Sequence, residues 1–118
     1  MNQEDQRIKT FPRSVQVNVK QAIFILHNAV FNLEIGPSAE KKAKNLIFRY
    51  FENNPYSRVD PRTIVAVLLQ YIVLNTGEYK SQVQITSALE VSKAWVQRKR
   101  REILADCGID TYQHFSST

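Results

Sequence analysis

Cysteine is almost missing from this chain: Cys107 is the only one in 118 residues. A lone thiol cannot close an internal disulfide, and a zinc ribbon or finger needs more than one cysteine, so neither device holds the fold together. Cys107 is expected to be a small apolar residue near a helix end. Glycine and proline are also scarce, at three and four residues, and the β-branched residues do not fall in alternating runs. Both features argue against hairpins and for helices. No apolar run exceeds Ile64 to Leu69, which is far short of a membrane span. The opening MNQEDQR is polar, so no secretory signal is expected and the protein is read as cytoplasmic and nucleoid-associated. Catalytic material is missing too. His27 and His114 are the only histidines, and no Ser–His–Asp set, carboxylate pair, Gly-rich phosphate loop or metal-ligand spacing can be assembled. No catalytic residue, metal or cofactor is therefore expected, and the chain is not read as an enzyme. Acidic residues are outnumbered by basic ones, 11 to 16, giving a net charge of +5 and an isoelectric point near 9.5. Such an excess suits a polyanionic partner.

What is present is a globular composition. Hydrophobic content of 43% and charged content of 23% are close to those of folded domains, which excludes general disorder. The expected fold class is all-α, with a flexible arm at 1–13, a helical domain at 14–109 and a polar tail at 110–118. The first helix begins at Ser14, read as its N-cap, and carries Val15, Val19, Ala22, Ile23, Leu26, Ala29, Val30 and Leu33 at three- and four-residue steps. The stripe is wide enough that this helix is expected to be central or covered on two sides. Gly36-Pro37-Ser38 ends it, and Ser38 is read as the cap of a helix from Ala39 to Asn53 with Ala43, Leu46, Ile47, Tyr50 and Phe51 inward. Lys41, Lys42, Lys44 and Arg49 are read as a solvated face. Asp60 and Pro61 open a third helix that is apolar almost all round and should be the buried axis, ending at Gly77. Phe24, Phe31, Phe48 and Phe51 are expected in the core by spacing. His27 is expected as a satisfied core or boundary histidine.

The most informative segment is KSQVQITSALEVSKAWVQRKRREIL, Lys80 to Leu104. It reads as a helix-turn-helix over 81–106: a short helix with Ile85, Ala88 and Leu89 inward, a turn at Glu90-Val91-Ser92, and a second helix capped by Ser92. That second helix carries Lys93, Arg98, Lys99, Arg100 and Arg101 with no acid before Glu102, and Val96, Ile103 and Leu104 anchor it. A capped cationic helix propped on a short one is the geometry that enters a DNA major groove. Residues early in it reach base edges: Gln97 suits adenine, Lys93 guanine and Ala94 a thymine methyl. Lys80, Ser92, Arg98, Lys99, Arg100 and Arg101 are placed for the phosphate backbone. Trp95 admits two readings, an exposed residue that stacks on DNA or anchors a protein contact, or a residue packed against the preceding helix.

Four stretches together resemble one cyclin-like repeat of the transcription factor IIB family, including its archaeal form, and most closely the second repeat. They are NLEIGPSAEKKAKNLI, DPRTIVAVL, GEYKSQVQITSALEVS and SKAWVQRKRREI. The resemblance spans roughly Asn18 to Leu104, and the order and spacing of the stretches carry it. It implies five helices with the third wrapped by the others. It also implies a last helix pair that binds the major groove beside the TATA box, in a complex with TATA-binding protein. Carried over by position, Ala94 and Gln97 become base readers, and Arg98 and Arg101 backbone contacts. The chain departs from the family pattern at Glu90, where Gly is usual, and at Trp95 and Gln97, where Thr and Arg are usual. The family's zinc ribbon, polymerase-cleft linker and other repeat have no counterpart in these residues. The expected role is thus that of a transcription regulator or promoter competitor of an archaeon, or of its virus or plasmid, rather than of a whole initiation factor. Double-stranded DNA is the expected partner, and tighter binding calls for a homodimer or for TATA-binding protein; no membrane partner is expected. The alternative is a cyclin-like protein-interaction adaptor without strong DNA binding of its own, using Trp95 with Tyr56 and Tyr79.

Overall fold

An unbroken buried run from Thr63 to Gln70 sets the architecture, because a helix apolar on every side must be wrapped by others. The computed structural model describes residues 2–78 and 80–110. Six helices and no strand occur among the described residues: α1 (Gln3–Lys9), α2 (Arg13–Leu33), α3 (Pro37–Asn53), α4 (Pro61–Thr76), α5 (Gln82–Leu89) and α6 (Lys93–Asp106). The protein is all-α. α4 is the axis, touched by α2, α3, α5 and α6. Its start follows from chemistry at the end: the Asp60 carboxylate accepts from the Arg62 backbone N–H at 2.9 Å, and Pro61 occupies the first turn, where its missing N–H is harmless. Its stop is Gly77, in the left-handed region at φ 77. Ile64, Val65, Leu68 and Leu69 are fully buried, and each such side chain is worth about 1.5–3 kcal/mol.

The expectation of a loose arm at 1–13 is corrected by α1. The Asn2 side chain caps it, accepting from Asp5 N at 2.8 Å, and Ile8 and Phe11 are buried. Phe11 stacks on Phe48 at 6.4 Å between centroids, and the Arg7 guanidinium lies 4.4 Å over the same Phe48 ring. Lys44 Nζ then meets Glu4 at 2.7 Å, so one of the lysines read as a solvated face is half-buried and paired. α1 makes the described helices six rather than five.

Two caps move. α2 begins at Arg13, not after Ser14: the Pro12 carbonyl accepts from Val15 N and Gln16 N, both at 2.9 Å, so the extended Pro12 does the work assigned to Ser14. α3 begins at Pro37 with Gly36 as its cap instead of Ser38. The Glu78 carboxylate, reaching from beyond α4, accepts from the Gly36 N–H at 3.2 Å and supplies the negative charge that this helix start attracts.

α2 is not covered on two sides. Its Val15, Val19, Ala22, Leu26, Ala29 and Val30 are buried, but Val17, Phe24 and Phe31 are 65%, 65% and 79% exposed. Phe24 and Phe31 are therefore not core aromatics, while Phe48 and Phe51 are. His27 is also on the outside, with Nδ1 3.0 Å from the Glu40 carboxylate. Cys107 is fully buried, its thiol donating to the Leu46 carbonyl at 3.5 Å. His114 and most of the polar tail lie outside the described residues, as does Tyr79.

Candidate nucleic-acid interface

α5 is a short helix fixed at both ends. At its start the Ser81 hydroxyl accepts from Gln84 N at 3.1 Å and the Gln84 side-chain oxygen accepts from Ser81 N at 2.8 Å. This reciprocal box satisfies two amides that a helix start otherwise leaves open. At its end Val91 N donates to the Thr86 carbonyl at 3.0 Å and Glu90 N to the Ser87 carbonyl at 3.2 Å. That pair of bonds is a Schellman closure, and it places Glu90 at φ 55. Ile85 and Leu89 are buried and bind α5 to the body.

Three residues later α6 opens on Ser92, whose hydroxyl accepts from Trp95 N at 3.3 Å. The amides of Lys93 and Ala94 have no acceptor among the described residues, which leaves the positive end of the helix open to an anion. Val96, Ile103 and Leu104 are buried. At 3.6 residues per turn the stripe opposite them is Ala94, Arg98, Arg101 and Ala105, and all four are exposed. The body thus holds α6 by one edge and presents two alanines and two arginines outward. Arg98 makes no ion pair among the described residues.

The remaining candidates divide between the flanks. Lys93 and Gln97 are exposed on one side, and Gln97 Nε2 donates to Gln82 Oε1 at 3.3 Å, a bond linking the two helices. On the other side Lys99 Nζ sits 5.0 Å from the Trp95 ring centroid and 3.5 Å from the Glu102 carboxylate. Trp95 is 43% exposed, with Lys99 over one face of the indole. Lys99 and Arg100 are half-buried, so neither stands on the outward stripe. Lys80 is half-buried and lines a cleft with Leu74 and Gln84 before α5. Gln82 was not singled out from sequence; the Ser81-x-x-Gln84 capping signature, readable in the chain, would have placed it in the first turn of α5.

No other region among the described residues assembles comparable chemistry. A cleft of about 560 Å³ between α1, α2 and α3 is lined by Arg7, His27, Glu40, Lys41 and Lys44 among others; Arg7 pairs with Glu52, Lys44 with Glu4, and His27 Nδ1 contacts Glu40. Among the described residues there is no group of three or more potential metal ligands. Nor, among them, is any helix long and apolar enough to cross a membrane. Fold and site together define an all-helical protein with a capped, basic outer helix. No family model, curated protein or solved structure matches the chain.

Proposed function

We propose that this chain is a DNA-binding transcription regulator, a cyclin-like repeat of the transcription factor IIB type ending in a helix-turn-helix formed by α5 and α6. The observation that carries the reading is the outward stripe of α6. Ala94 near the N-terminus is small enough for close approach to a base edge, and Arg98 and Arg101 follow at helical spacing on the same face. Gln97 and Lys93 flank Ala94 as further base readers. Arg98 and Arg101 take phosphates, with Lys99, Arg100, Lys80 and the open amides above Ser92 as supporting contacts.

About 4–6 phosphate contacts give a slope of log affinity against log salt of roughly −4 to −5. Fluorescence anisotropy of a labelled duplex, titrated across salt and against scrambled competitor, tests this. Arg98→Ala and Arg101→Ala should each weaken binding to every duplex and each flatten the salt slope by about one. Unchanged affinity in both variants would remove α6 from the interface.

The exposure of Trp95 and Tyr56 favours a second reading, a cyclin-like adaptor for TATA-binding protein or other transcription machinery. An apolar contact of that kind changes little with salt, whereas a phosphate contact weakens steeply.

A further inference from the structure

The outer side of α2 carries a second apolar row that the body does not use. Val17, Phe24 and Phe31 recur every seven residues and lie diametrically opposite Val19, Ala22 and Leu26. A helix apolar on two opposite sides is expected to be covered on both, yet this row faces solvent. A seven-residue period is also the spacing at which two helices keep one seam in register.

Beside this row runs a polar one with the same period, Arg13, Lys20, His27 and Glu34, of which Arg13, Lys20 and Glu34 carry charge. Its sequence of charges indicates what covers the face. Arg13 sits at the positive start of α2 and Glu34 at its negative end, so both oppose the helix dipole. Arg13, Lys20 and Glu34 make no ion pair among the described residues. A parallel copy would set Arg13 on Arg13 and Glu34 on Glu34. A copy running the other way sets Arg13 against Glu34 at both ends, and relieves the dipole mismatch with the same contacts. In that arrangement Val17 meets Phe31, Phe24 meets Phe24, and Lys20 meets His27, whose ring is already held by the Glu40 carboxylate at 3.0 Å. Asp5 lines the same cleft as Lys20 and His27, adding a second acid where the incoming Lys20 would lie.

We propose that the outer face of α2 is the interface of an antiparallel homodimer, with a two-fold axis passing beside Phe24. The inference goes beyond the DNA-binding reading and does not rest on it. A 21-residue helix is about 31 Å long, so a single helix–helix seam buries less than the about 800 Å² per partner of a standard interface. The dimer is therefore a micromolar, concentration-dependent one.

Sedimentation equilibrium of the whole chain from about 1 μM to about 1 mM brackets that affinity. The expected result is a reversible monomer–dimer equilibrium. Phe24→Lys should weaken it by about thirtyfold or more. Its helical circular dichroism should be unchanged, since the side chain is exposed. Arg13→Glu alone should weaken the dimer, and adding Glu34→Arg should restore it. Cys107 is buried, so disulfides formed under mild oxidation report introduced thiols: V17C chains should cross-link to F31C chains and not to one another. A monomer throughout the range, or a dimer indifferent to Phe24→Lys, would overturn the proposal. Cross-linking of V17C to itself in place of F31C would overturn the antiparallel arrangement.

Discussion

Two glutamates, Glu34 and Glu90, occupy backbone positions that suit glycine, at φ 56 and φ 55. A side chain there strains against its own backbone by about 1 kcal/mol or more. At Glu90 the strained residue sets how α6 leaves α5, since the Schellman bonds of Glu90 and Val91 define the turn. Glu90→Gly keeps those bonds and removes the strain, partly offset by the greater freedom of glycine in the unfolded chain. The variant should be more stable by about 0.5–1 kcal/mol, read as a higher midpoint in urea; a lower midpoint would mean that the Glu90 side chain holds the turn through contacts of its own. Trp95 offers a second measurement at this scale. It is the sole tryptophan, and it stands on the flank of α6 under Lys99. Fluorescence excited selectively at the indole, and not at the five tyrosines, therefore reports on this helix alone. Adding duplex DNA should shift the emission and lower its quenching by iodide, while unchanged quenching at saturation would place the indole outside the interface.

At the scale of elements, α1 shows how little apolar surface can fix a helix. Its anchors are Ile8 and, just past its end, Phe11; both are buried, and Phe11 stacks on Phe48. Phe11→Ala removes a buried ring and should cost about 3–5 kcal/mol. If α1 is instead dispensable, the urea midpoint will hardly move. Two apolar residues give no periodicity to read, which is why the sequence suggested a loose arm. α4 was legible because its buried run is bounded by chemistry that stands in the sequence itself, Asp60-Pro61 at one end and Gly77 at the other. α6 was legible for the same reason, with Ser92 before it and Gly108, at φ 79, after it. Phe24 and Phe31 were misplaced because periodicity identifies apolar rows without saying which row meets the body. α2 has two, and only packing against α3, α4 and α5 distinguishes them. The candidate site was legible as residue types. Part of its geometry was legible too: with Val96, Ile103 and Leu104 inward, helical spacing sets Arg98 and Arg101 on one face and Lys99 and Arg100 on neighbouring ones, whereas the bond between Gln97 and Gln82 was not. Lys99 and Arg100 are half-buried, and Lys99 is engaged by Trp95 and Glu102 of its own helix.

Across the whole molecule, the body closes around two groups that resist losing a proton. Burial pushes the Cys107 thiol up from 9.0 to about 12, against a partial opposing pull from Arg49. Burial also raises the Tyr50 hydroxyl above its usual 10.0, although its 2.6 Å contact with Ser57 Oγ acts the other way. Both residues belong to the region where α3 meets α6: Cys107 reaches the Leu46 carbonyl, and the Asn53 side chain donates to the Asp106 carbonyl at 2.7 Å. The direction of the pH effect follows from linkage. Below pH 9.0 the thiol is protonated in both folded and unfolded chains, and its contribution is fully present. Between there and about pH 12 the unfolded chain releases the proton while the folded one retains it, so stability falls as pH rises. Urea midpoints measured from about pH 8 to about pH 11 should therefore decline. Cys107→Ala should start lower, because a packed side chain is lost, but decline less steeply. Parallel curves for the two proteins would show that the thiol ionises as readily in the folded chain as in the unfolded one. In the native protein the same burial should leave Cys107 inert to thiol reagents near pH 8, with reaction appearing only on unfolding, because the attacking species is the thiolate.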